Sequence, residues 1–329
     1  MKRSFLLVIT ILLSYCSFAK EVFKVKVVDK TNSKPIPYVS VVLLKSNLVI
    51  TIDEKGEFEL AEDITITGDT LLFSVFGFCT IKHPASYFNN FQIVELTPTN
   101  LPVNGTRNAE KPGKRFSLNE FQPKKVKYFL GLQKSSEVFN FLQVAQKFEV
   151  PAKNVALKQV SIFRLVWEDI EREMEREKAA GQVSDTGSLQ KTTFRVRIYD
   201  VDSVTGLPGK DLSEIEVKDR RSNLIKVNLS QHKIIVPQQT FFVAVEWLRI
   251  PYNLSRTAIT VDEKLLGIPE EKAGYGGMLI SCYKPILGMS AEKGSKFNTY
   301  ALTYQNEWVP YTHFAPELTD FAISAEVEY

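Results

Sequence analysis

Short apolar runs separated by turn-forming residues occur along nearly the whole chain, and this pattern restricts the fold more than any other feature of the sequence. Residues 194–199 alternate between apolar and other side chains, which is the two-residue period of a β-strand with two different faces. Residues 241–247 are apolar apart from Glu246, as expected of a central strand buried on both faces. Because such runs recur with little helical periodicity between them, the sequence predicts an all-β protein.

The length and charge of the chain limit its organisation and its partners. Its 329 residues exceed one ordinary domain of about 100–200 residues, so we expect two domains. Lys and Arg number 41 and Asp and Glu number 38, which gives a net charge of +3. A balance this close to zero argues against a nucleic-acid partner, since such binders usually carry a strongly basic surface.

The first nineteen residues have the pattern of a secretory signal peptide. Lys2 and Arg3 precede an apolar stretch at 5–13, which is much shorter than the ~20 residues of a spanning helix. Ser17 and Ala19 are small residues at the positions that signal peptidase requires, so we expect cleavage after Ala19. A short membrane anchor and a lipoprotein signal at Cys16 are the alternatives.

An exported chain of this kind is expected in the periplasm or associated with the outer membrane. No later stretch reaches membrane-spanning length, which predicts no membrane span in the mature chain. The sequence ends at Tyr329 on a predicted strand, without room for a separate sorting domain, so a cell-surface location is less favoured.

Residues 20–98, called the N-terminal module below, have the strand and turn pattern of a small β-sandwich. About seven short strands are predicted, at 23–27, 39–44, 49–52, 58–60, 64–67, 71–78 and 92–96. The segment 53–56 ends in Gly56 and is predicted to be the turn of a hairpin between the third and fourth of these strands.

The order and spacing of several motifs in the module resemble a known family. Asp29 and the segments 35–41, 51–60 and 69–78 are similar to the carboxypeptidase regulatory-like domain, which has a prealbumin-like fold and is common in exported proteins of Bacteroidetes-type bacteria. This family often carries Gly at the start of its first strand and at the position of Tyr38, and Tyr at the position of Phe78. The resemblance implies an Ig/prealbumin-like sandwich that acts as an accessory or docking unit without catalytic residues.

Two charged segments lie outside the module. Residues 99–135 combine turn formers with eight basic residues and are predicted to be a basic linker; contact with anionic lipid or polysaccharide is the alternative. Residues 168–178 form a Glu/Arg run, which is typical of a solvated helix or an inserted loop.

Residues 136–329, called the C-terminal domain below, are predicted to form a larger jelly-roll-like β-sandwich. The segment 136–148 has two interpretations, a short helix or an entering strand. The segments 194–199 and 206–209 loosely resemble parts of jelly-roll domains of exported adhesin-like and uncharacterised bacterial proteins. This resemblance implies no functional residues.

Residues that could carry catalysis or hold a metal are few and widely spaced. His83, His232 and His313 show no metal-ligand spacing, and Cys79 and Cys282 are expected to be buried thiols without a disulfide. No cofactor is predicted. A scattered catalytic triad remains open. Asp200 and Asp202 could contribute oxygens to a Ca²⁺ site, but a hairpin turn accounts for them more simply.

Aromatic residues in the last third of the chain are the predicted binding residues. Trp308, Tyr311, Tyr275 and Tyr252, with Arg249 beside them, fall at strand ends or in loops, where sandwich domains hold sugars or peptides. Trp247 is expected to be a core residue. The first hypothesis is therefore a non-catalytic exported protein that binds a glycan or an envelope protein. The alternatives are a hydrolase of unrecognised family and a purely structural envelope component.

Overall fold

The computed structural model describes residues 24–59, 66–88, 91–99, 113–126, 128–130, 141–166, 192–219, 222–262, 275–290, 298–311 and 319–329. At residues 219, 255–262 and 275–282 it describes the backbone only. The described residues form β-strands joined by turns, and their helical structure is limited to the 3-10 turns Ala85–Tyr87, Pro123–Lys125, Ser230–His232 and Pro251–Asn253. The all-β prediction is confirmed.

The strands are β1 (Lys24–Asp29), β2 (Ser40–Leu43), β3 (Leu48–Thr51), β4 (Glu57–Glu59), β5 (Thr70–Ser74), β6 (Ile81–Pro84), β7 (Phe91–Leu96), β8 (Arg115–Leu118), β9 (Tyr128–Phe129), β10 (Phe141–Glu149), β11 (Val155–Phe163), β12 (Thr192–Val201), β13 (Pro208–Asp219), β14 (Leu224–Asn228), β15 (Ile235–Val236), β16 (Thr240–Trp247), β17 (Leu254–Asp262), β18 (Tyr275–Tyr283), β19 (Gly288–Ser290), β20 (Thr299–Thr303), β21 (Trp308–Pro310), β22 (Asp320–Phe321) and β23 (Ile323–Glu328).

The N-terminal module is a sandwich of a three-stranded sheet, β4-β1-β7, and a four-stranded sheet, β3-β2-β5-β6. Its core lies between the two sheets, where Val25 and Val27 of β1 pack with Val41 of β2 and Phe73 of β5. β1 pairs with β7 in parallel and with β4 antiparallel, so the first strand of the module is also the centre of its smaller sheet.

The turn at 53–56 does not form the predicted hairpin. β3 pairs with β2, whereas β4 pairs with β1 in the opposite sheet, so the turn crosses between the two sheets. The turn chemistry itself is as predicted, since Gly56 has a φ of 74° and Asp53 Oδ1 accepts hydrogen bonds from the amides of Lys55 and Glu57. The local sequence predicted the turn correctly, but the strand that β4 joins is distant in sequence.

The C-terminal domain is a second sandwich. One sheet has six strands in the order β13-β12-β16-β10-β20-β21, and the facing sheet has the order β14-β11-β23-β8, with β15 also paired to β11. Phe194 and Val196 of β12 meet Ile162 of β11 and Val327 of β23 in the core between these sheets. β16, at 240–247, is central and almost wholly buried, as its apolar sequence predicted.

Part of the segment predicted as a linker belongs to the sheets. β8 lies within 99–135 and pairs with β23, and β9 pairs with β19. Arg115 on β8 is held by ion pairs to Glu326 and Glu328, so this basic residue of the segment is matched to acidic residues of the last strand. Residues 101–112 and 131–135 lie outside the described residues.

Other predicted segments have mixed outcomes. Of the segment 136–148, for which a helix and a strand were both open, residues 141–148 belong to β10, and residues 136–140 lie outside the described residues. Tyr275, expected at a strand end or in a loop, is the first residue of β18. The charged run 168–178 lies outside the described residues.

The two sandwiches pack directly against each other. Val42 and Leu72 point away from the core of the module and join Leu142, Leu302 and Tyr304 of the C-terminal domain in one buried apolar cluster. β2 is therefore buried on both faces, which explains its uninterrupted apolar sequence. Among the residues with described structure, none forms a helix of the length and apolar character needed to cross a bilayer.

Candidate functional site

The outer face of the six-stranded sheet carries charged residues at the junction with the N-terminal module. Alternation along β12 places Phe194, Val196 and Ile198 in the core and turns Arg195 and Arg197 to the opposite face. A polar face of this kind usually meets solvent, but Arg195 and Arg197 are only 3% and 8% exposed. The module covers them, and buried guanidinium groups require partners.

Glu246 on the neighbouring strand β16 is shared by both arginines. Its position is directly opposite Arg195 in the strand register. Arg197 Nη1 donates a hydrogen bond of 3.0 Å to Oε2 of Glu246, and Arg195 Nη1 lies 3.6 Å from Oε1. The same Oε1 accepts a hydrogen bond of 3.2 Å from the hydroxyl of Ser40 on β2 of the module.

Two further carboxylates approach the arginines from β13. Arg197 donates to Oδ2 of Asp211 through both Nε, at 2.9 Å, and Nη2. Arg195 Nε lies 3.1 Å from Oε1 of Glu214. The five residues Arg195, Arg197, Asp211, Glu214 and Glu246, called the interdomain charge network below, thus combine two cations and three carboxylates.

Burial and pairing act in opposite directions on the carboxylates of this network. Burial raises the pKa of Asp211 to about 6 in spite of the adjacent Arg197 guanidinium, and burial also raises the pKa of Glu214. For Glu246, burial alone would act in the same direction, but Arg197 and Arg195 on either side hold its pKa below the ordinary value. The arginines therefore favour the ionised form of Glu246, whereas the two acids of β13 titrate closer to neutrality.

The module contributes an aromatic cover to the network. Tyr38 has a φ of 55°, a left-handed conformation that is uncommon for a bulky residue. Its ring lies 5.8 Å from the guanidinium carbon of Arg195, and its hydroxyl donates to Oε1 of Glu54. Arg195 Nη2 also donates to the carbonyl oxygen of Pro37. The strained turn therefore holds this arginine from the module side.

An open cleft lies beside the network, between the module and β12–β13. Its volume is about 290 Å³, and its lining consists of residues 74–78, Thr80 and Thr99 of the module with Arg197, Lys210 and Asp211 of the C-terminal domain. The module wall is fixed because the Cys79 amide donates to Thr97 and the Thr99 amide donates to Gly77. The cleft exists only where the two sandwiches meet.

The cleft offers both ring surface and polar groups. Phe76 and Phe78 are half-buried, and the Phe76 ring lies 5.8 Å from the Arg197 guanidinium carbon. Asp211 Oδ1 is buried, and the backbone amide of Ser213 hydrogen-bonds to this carboxyl group, which partly offsets the effect of burial on its pKa. Lys210 is exposed and forms no ion pair with any residue that the structure describes.

The predicted binding residues do not form one exposed surface. Tyr311 is 8% exposed and packs in the core of the C-terminal domain against Phe141 and Phe321. Trp308 is half-buried and packs edge-on against Tyr199, with ring centroids 5.5 Å apart. Tyr311 is therefore a core residue of the sheet, whereas Trp308 keeps exposed surface, and its binding role stays a prediction.

The remaining three predicted binding residues lie elsewhere. Arg249 is half-buried; its side chain donates to the Tyr304 hydroxyl and to the carbonyl oxygen of Phe141, and its backbone amide donates to the Thr51 hydroxyl of the module, which makes it a junction residue. Tyr252 is 46% exposed and lies near the Lys284 ammonium. Tyr275 is on β18, where only the backbone is described. Trp247, expected in the core, is 3% exposed and donates to the carbonyl oxygen of Pro285.

The acidic turn after β12 is a turn, as the simpler interpretation predicted. Asp202 Oδ1 accepts hydrogen bonds from the amides of Val204 and Thr205 and from the Thr205 hydroxyl. In the described part of the chain, no three His, Cys, Asp or Glu side chains converge on a metal position. Cys79 was expected to be buried but is an exposed free thiol, because it lies in the loop between β5 and β6.

The fold and site thus define an all-β protein of two packed sandwiches with a charged cleft between them. No family model matches the chain, and no curated protein matches it either. Two solved structures are similar to part of it. The first is clostridial cysteine protease Cwp84 after propeptide cleavage, with 15% identity and a TM-score of 0.31. The second contains the cysteine protease and lectin-like domains of Cwp84, a surface layer associated protein of Clostridium difficile, with 15% identity and a TM-score of 0.30. Each match covers 57% of this chain. The matched part spans about a third of the length of the two solved chains, 36% of the first and 32% of the second.

Proposed function

We propose that the chain is a non-catalytic binding protein of the cell envelope whose partner is a glycan or another envelope protein. The observation that carries this proposal is the cleft of about 290 Å³ that both sandwiches line. A concave site with a few polar groups and aromatic walls at a domain junction is the usual form of a ligand site. In this proposal the N-terminal module is an accessory unit in a specific sense, because it completes the wall of the site.

The arrangement of charges supports binding in preference to catalysis. One oxygen of Asp211 is engaged by Arg197, and Glu246 is buried beneath the cleft between two arginines. Groups that are paired in this way hold a surface in shape, whereas a general acid or base must exchange a proton with its substrate. Ser74 and Thr80 both line the cleft, and the Thr80 hydroxyl donates a long hydrogen bond of 3.4 Å to the Ser74 hydroxyl.

The experiment is a thermal-shift and titration screen of the mature chain against envelope polysaccharide fractions and purified envelope proteins. We expect a partner whose binding is weakened at least tenfold by Phe78→Ala, which changes the cleft wall. Phe91→Ala is the matched control, because it removes a ring on the module that is 54% exposed and does not line the cleft, and it should bind normally. Binding that is unchanged by the cleft variant, or absent across the screen, contradicts the proposal.

A hydrolase is the second candidate, and the raised pKa values of Asp211 and Glu214 favour it. In this alternative Asp211 would act as an acid or base at the cleft. It predicts turnover of a polysaccharide or ester substrate that Asp211→Asn abolishes without loss of substrate binding. Turnover with a bell-shaped pH profile would establish the hydrolase, and binding without turnover supports the proposed function.

Export is proposed from the sequence of the first nineteen residues. The test is cell fractionation followed by mass spectrometry of the amino terminus. A mature chain that begins at Lys20 and is found in the periplasmic or outer-membrane fraction supports the proposal. An unprocessed chain in the cytoplasmic fraction contradicts it.

A further inference from the structure

We propose that two copies of the chain pair through the free edge of β7, in an antiparallel arrangement with Ile93 of each copy opposite Ile93 of the other. This inference goes beyond the proposed function and does not depend on it. It rests on the backbone groups that β7 leaves unpaired, on the side chains around them and on the length of the free edge.

β7 is an edge strand of the three-stranded sheet, the sheet of the module that faces away from the C-terminal domain. It pairs in parallel with β1 and with no other described strand. Val42 and Leu72, which pack against the C-terminal domain, belong to the four-stranded sheet on the other side of the module. A second chain can therefore approach β7 without displacing a described part of the first.

Hydrogen bonds at the end of β7 show which of its residues face β1 and which face the free edge. The Leu96 carbonyl oxygen accepts from the Lys30 amide, which directly follows β1. The next carbonyl, that of Thr97, accepts from the Cys79 amide on the opposite side. Because the direction alternates from residue to residue along a strand in a parallel pair, the even-numbered residues of β7 bond to β1 and the odd-numbered residues point outward.

Phe91, Ile93 and Glu95 are the odd-numbered residues of β7, so each of them directs an amide and a carbonyl group to the free edge. Among the described residues, these outward groups have no hydrogen-bond partner. An edge of this kind is a template for a further strand, since its donors and acceptors are already held in the extended conformation that pairing requires.

The side chains of β7 do not protect this edge. Phe91 and Ile93 are large apolar residues that are 54% and 51% exposed. The edge strands β6, β8 and β14 carry Lys82, Arg115 and Lys226, and basic side chains at an edge oppose pairing with another chain. β7 contains neither a basic residue nor a proline. Its composition therefore favours pairing where the other three edges oppose it.

The length of the free edge favours a second copy of the same strand as the occupant. The hydrogen bond from Cys79 to Thr97 closes the edge after Glu95, so three outward residues are available. In an antiparallel pair centred on Ile93, the three outward residues of each copy meet the three of the other, and Phe91 lies opposite Glu95. The two Glu95 carboxylates then lie at opposite ends of the paired segment, so no like charges face each other.

The first test is sedimentation equilibrium of the mature chain. A pair of short edges is a small interface, so we expect a dimer with a dissociation constant of about 10–100 µM, measured over about 5–500 µM protein. Ile93→Lys places two ammonium groups opposite each other and should weaken the dimer at least tenfold. Val204→Lys is the matched control, because it makes the same kind of change at a residue of the C-terminal domain that is 92% exposed, and it should dimerise normally.

The second test is disulfide cross-linking, which reads the register of the pair. It uses a Cys79→Ser parent, so that this exposed thiol does not contribute. Directly opposed residues have Cα atoms about 5.5 Å apart in a hydrogen-bonded pair, within the span of a disulfide, so Ile93→Cys should form a covalent dimer on oxidation. Glu95→Cys should not, because the two thiols would lie four residues apart along the strands, at least about 13 Å.

A dimer that Ile93→Lys weakens and Val204→Lys does not, with cross-linking through Ile93→Cys, supports the inference. A chain that stays monomeric over the whole concentration range overturns it, and so does a dimer that Ile93→Lys leaves unchanged. Cross-linking through Glu95→Cys in preference to Ile93→Cys, or in the parent alone, also overturns it. The outward residues of β7 do not line the cleft, so Phe91→Ala should weaken the dimer while cleft binding stays normal.

Discussion

The hydroxyl of Ser40 donates a hydrogen bond of 3.2 Å to Oε1 of Glu246, a residue 206 positions later in the chain. Ser40 belongs to the N-terminal module, and Glu246 is the carboxylate that Arg195 and Arg197 share in the C-terminal domain. This bond therefore joins the contact between the sandwiches to the interdomain charge network. A change in the network should alter how the two sandwiches are held together, and a change in their contact should alter the network.

Replacement of Glu246 by Gln is expected to lower the free energy of unfolding by about 3–5 kcal/mol, because it leaves two buried guanidinium groups without their common carboxylate. Urea denaturation followed by circular dichroism measures this loss. Glu149→Gln is the matched control: Glu149 is also paired with a lysine, but its side chain is 75% exposed, and we expect a change within about 0.5 kcal/mol. Equal effects of the two substitutions would show that the network does not stabilise the fold.

The pH dependence of stability should contain a contribution from Asp211. Its pKa is 3.8 ordinarily and about 6 in the folded protein, so between these values the folded state holds a proton that the unfolded chain has lost. For this group the free energy of unfolding therefore falls as pH rises from 3.8 to about 6, by on the order of 3 kcal/mol in the limit of the full shift.

Asp211→Asn isolates that contribution, because asparagine does not titrate. Urea unfolding of the variant and of the wild type at pH 4, 5, 6 and 7 gives the comparison. The variant should gain stability relative to the wild type as pH rises through this window and then keep a constant difference above it. A difference that does not change with pH would mean that Asp211 titrates at its ordinary value.

Two tyrosines that were equivalent candidates in the sequence should behave differently when they are replaced. Tyr311→Ala removes a ring that is 8% exposed and packs at 5.5 Å from Phe141, so we expect a loss of about 3–5 kcal/mol. Tyr252→Ala removes a ring that is 46% exposed and should cost less than about 1 kcal/mol. Chemical denaturation of both variants is the measurement, and a larger loss for Tyr252 would contradict the burial of Tyr311.

Two glycines with the same backbone conformation provide a second matched pair. Gly56 and Gly206 have φ values of 74° and 72°, so alanine is strained by about 1–2 kcal/mol at either position. A Cβ on Gly56 would lie 2.9 Å from Pro35 Cβ and 3.0 Å from the Val27 carbonyl oxygen, whereas a Cβ on Gly206 meets no atom within 4 Å. Gly56→Ala should therefore be the more destabilising substitution in thermal unfolding. Equal melting temperatures of the two variants would contradict the close approach of the Gly56 turn to β1.

The sequence predicted the strands well where their pattern was local. The alternation at 194–199 and the apolar run at 241–247 gave β12 and the central position of β16. The alternation did not reveal that the polar face of β12 is covered by another part of the chain. The sequence nevertheless contained evidence for this cover, because charged residues in otherwise buried strands, such as Arg195 and Glu246, need partners. Their presence in β12 and β16 indicates that another part of the chain covers this face.

The local sequence could not predict which distant strands pair or which individual side chains are exposed. Asp53 and Gly56 specify a turn, but nothing near them determines that β4 pairs with β1 instead of β3. In the same way, Tyr311 and Tyr252 both follow a proline near turns, and only the assembled sheets decide that one ring is in the core. The interdomain cleft depends on both kinds of information, which is why the predicted binding residues were chosen elsewhere.

The central claim is that the two sandwiches are one coupled unit, and Leu72→Ala tests it most directly. Leu72 belongs to the N-terminal module but packs against Leu142 and Leu302. The three tryptophans of the chain, Trp167, Trp247 and Trp308, all follow the module, and Trp308 packs against the interdomain apolar cluster. Their fluorescence therefore reports unfolding of the C-terminal domain and separation of the two sandwiches, but not unfolding of the module by itself. We predict that Leu72→Ala shifts the fluorescence-detected urea midpoint to lower concentration, as a loss of about 2–5 kcal/mol in a shared core requires. An unchanged fluorescence midpoint, with a separate earlier transition in circular dichroism, would show that the sandwiches unfold independently and would contradict the claim.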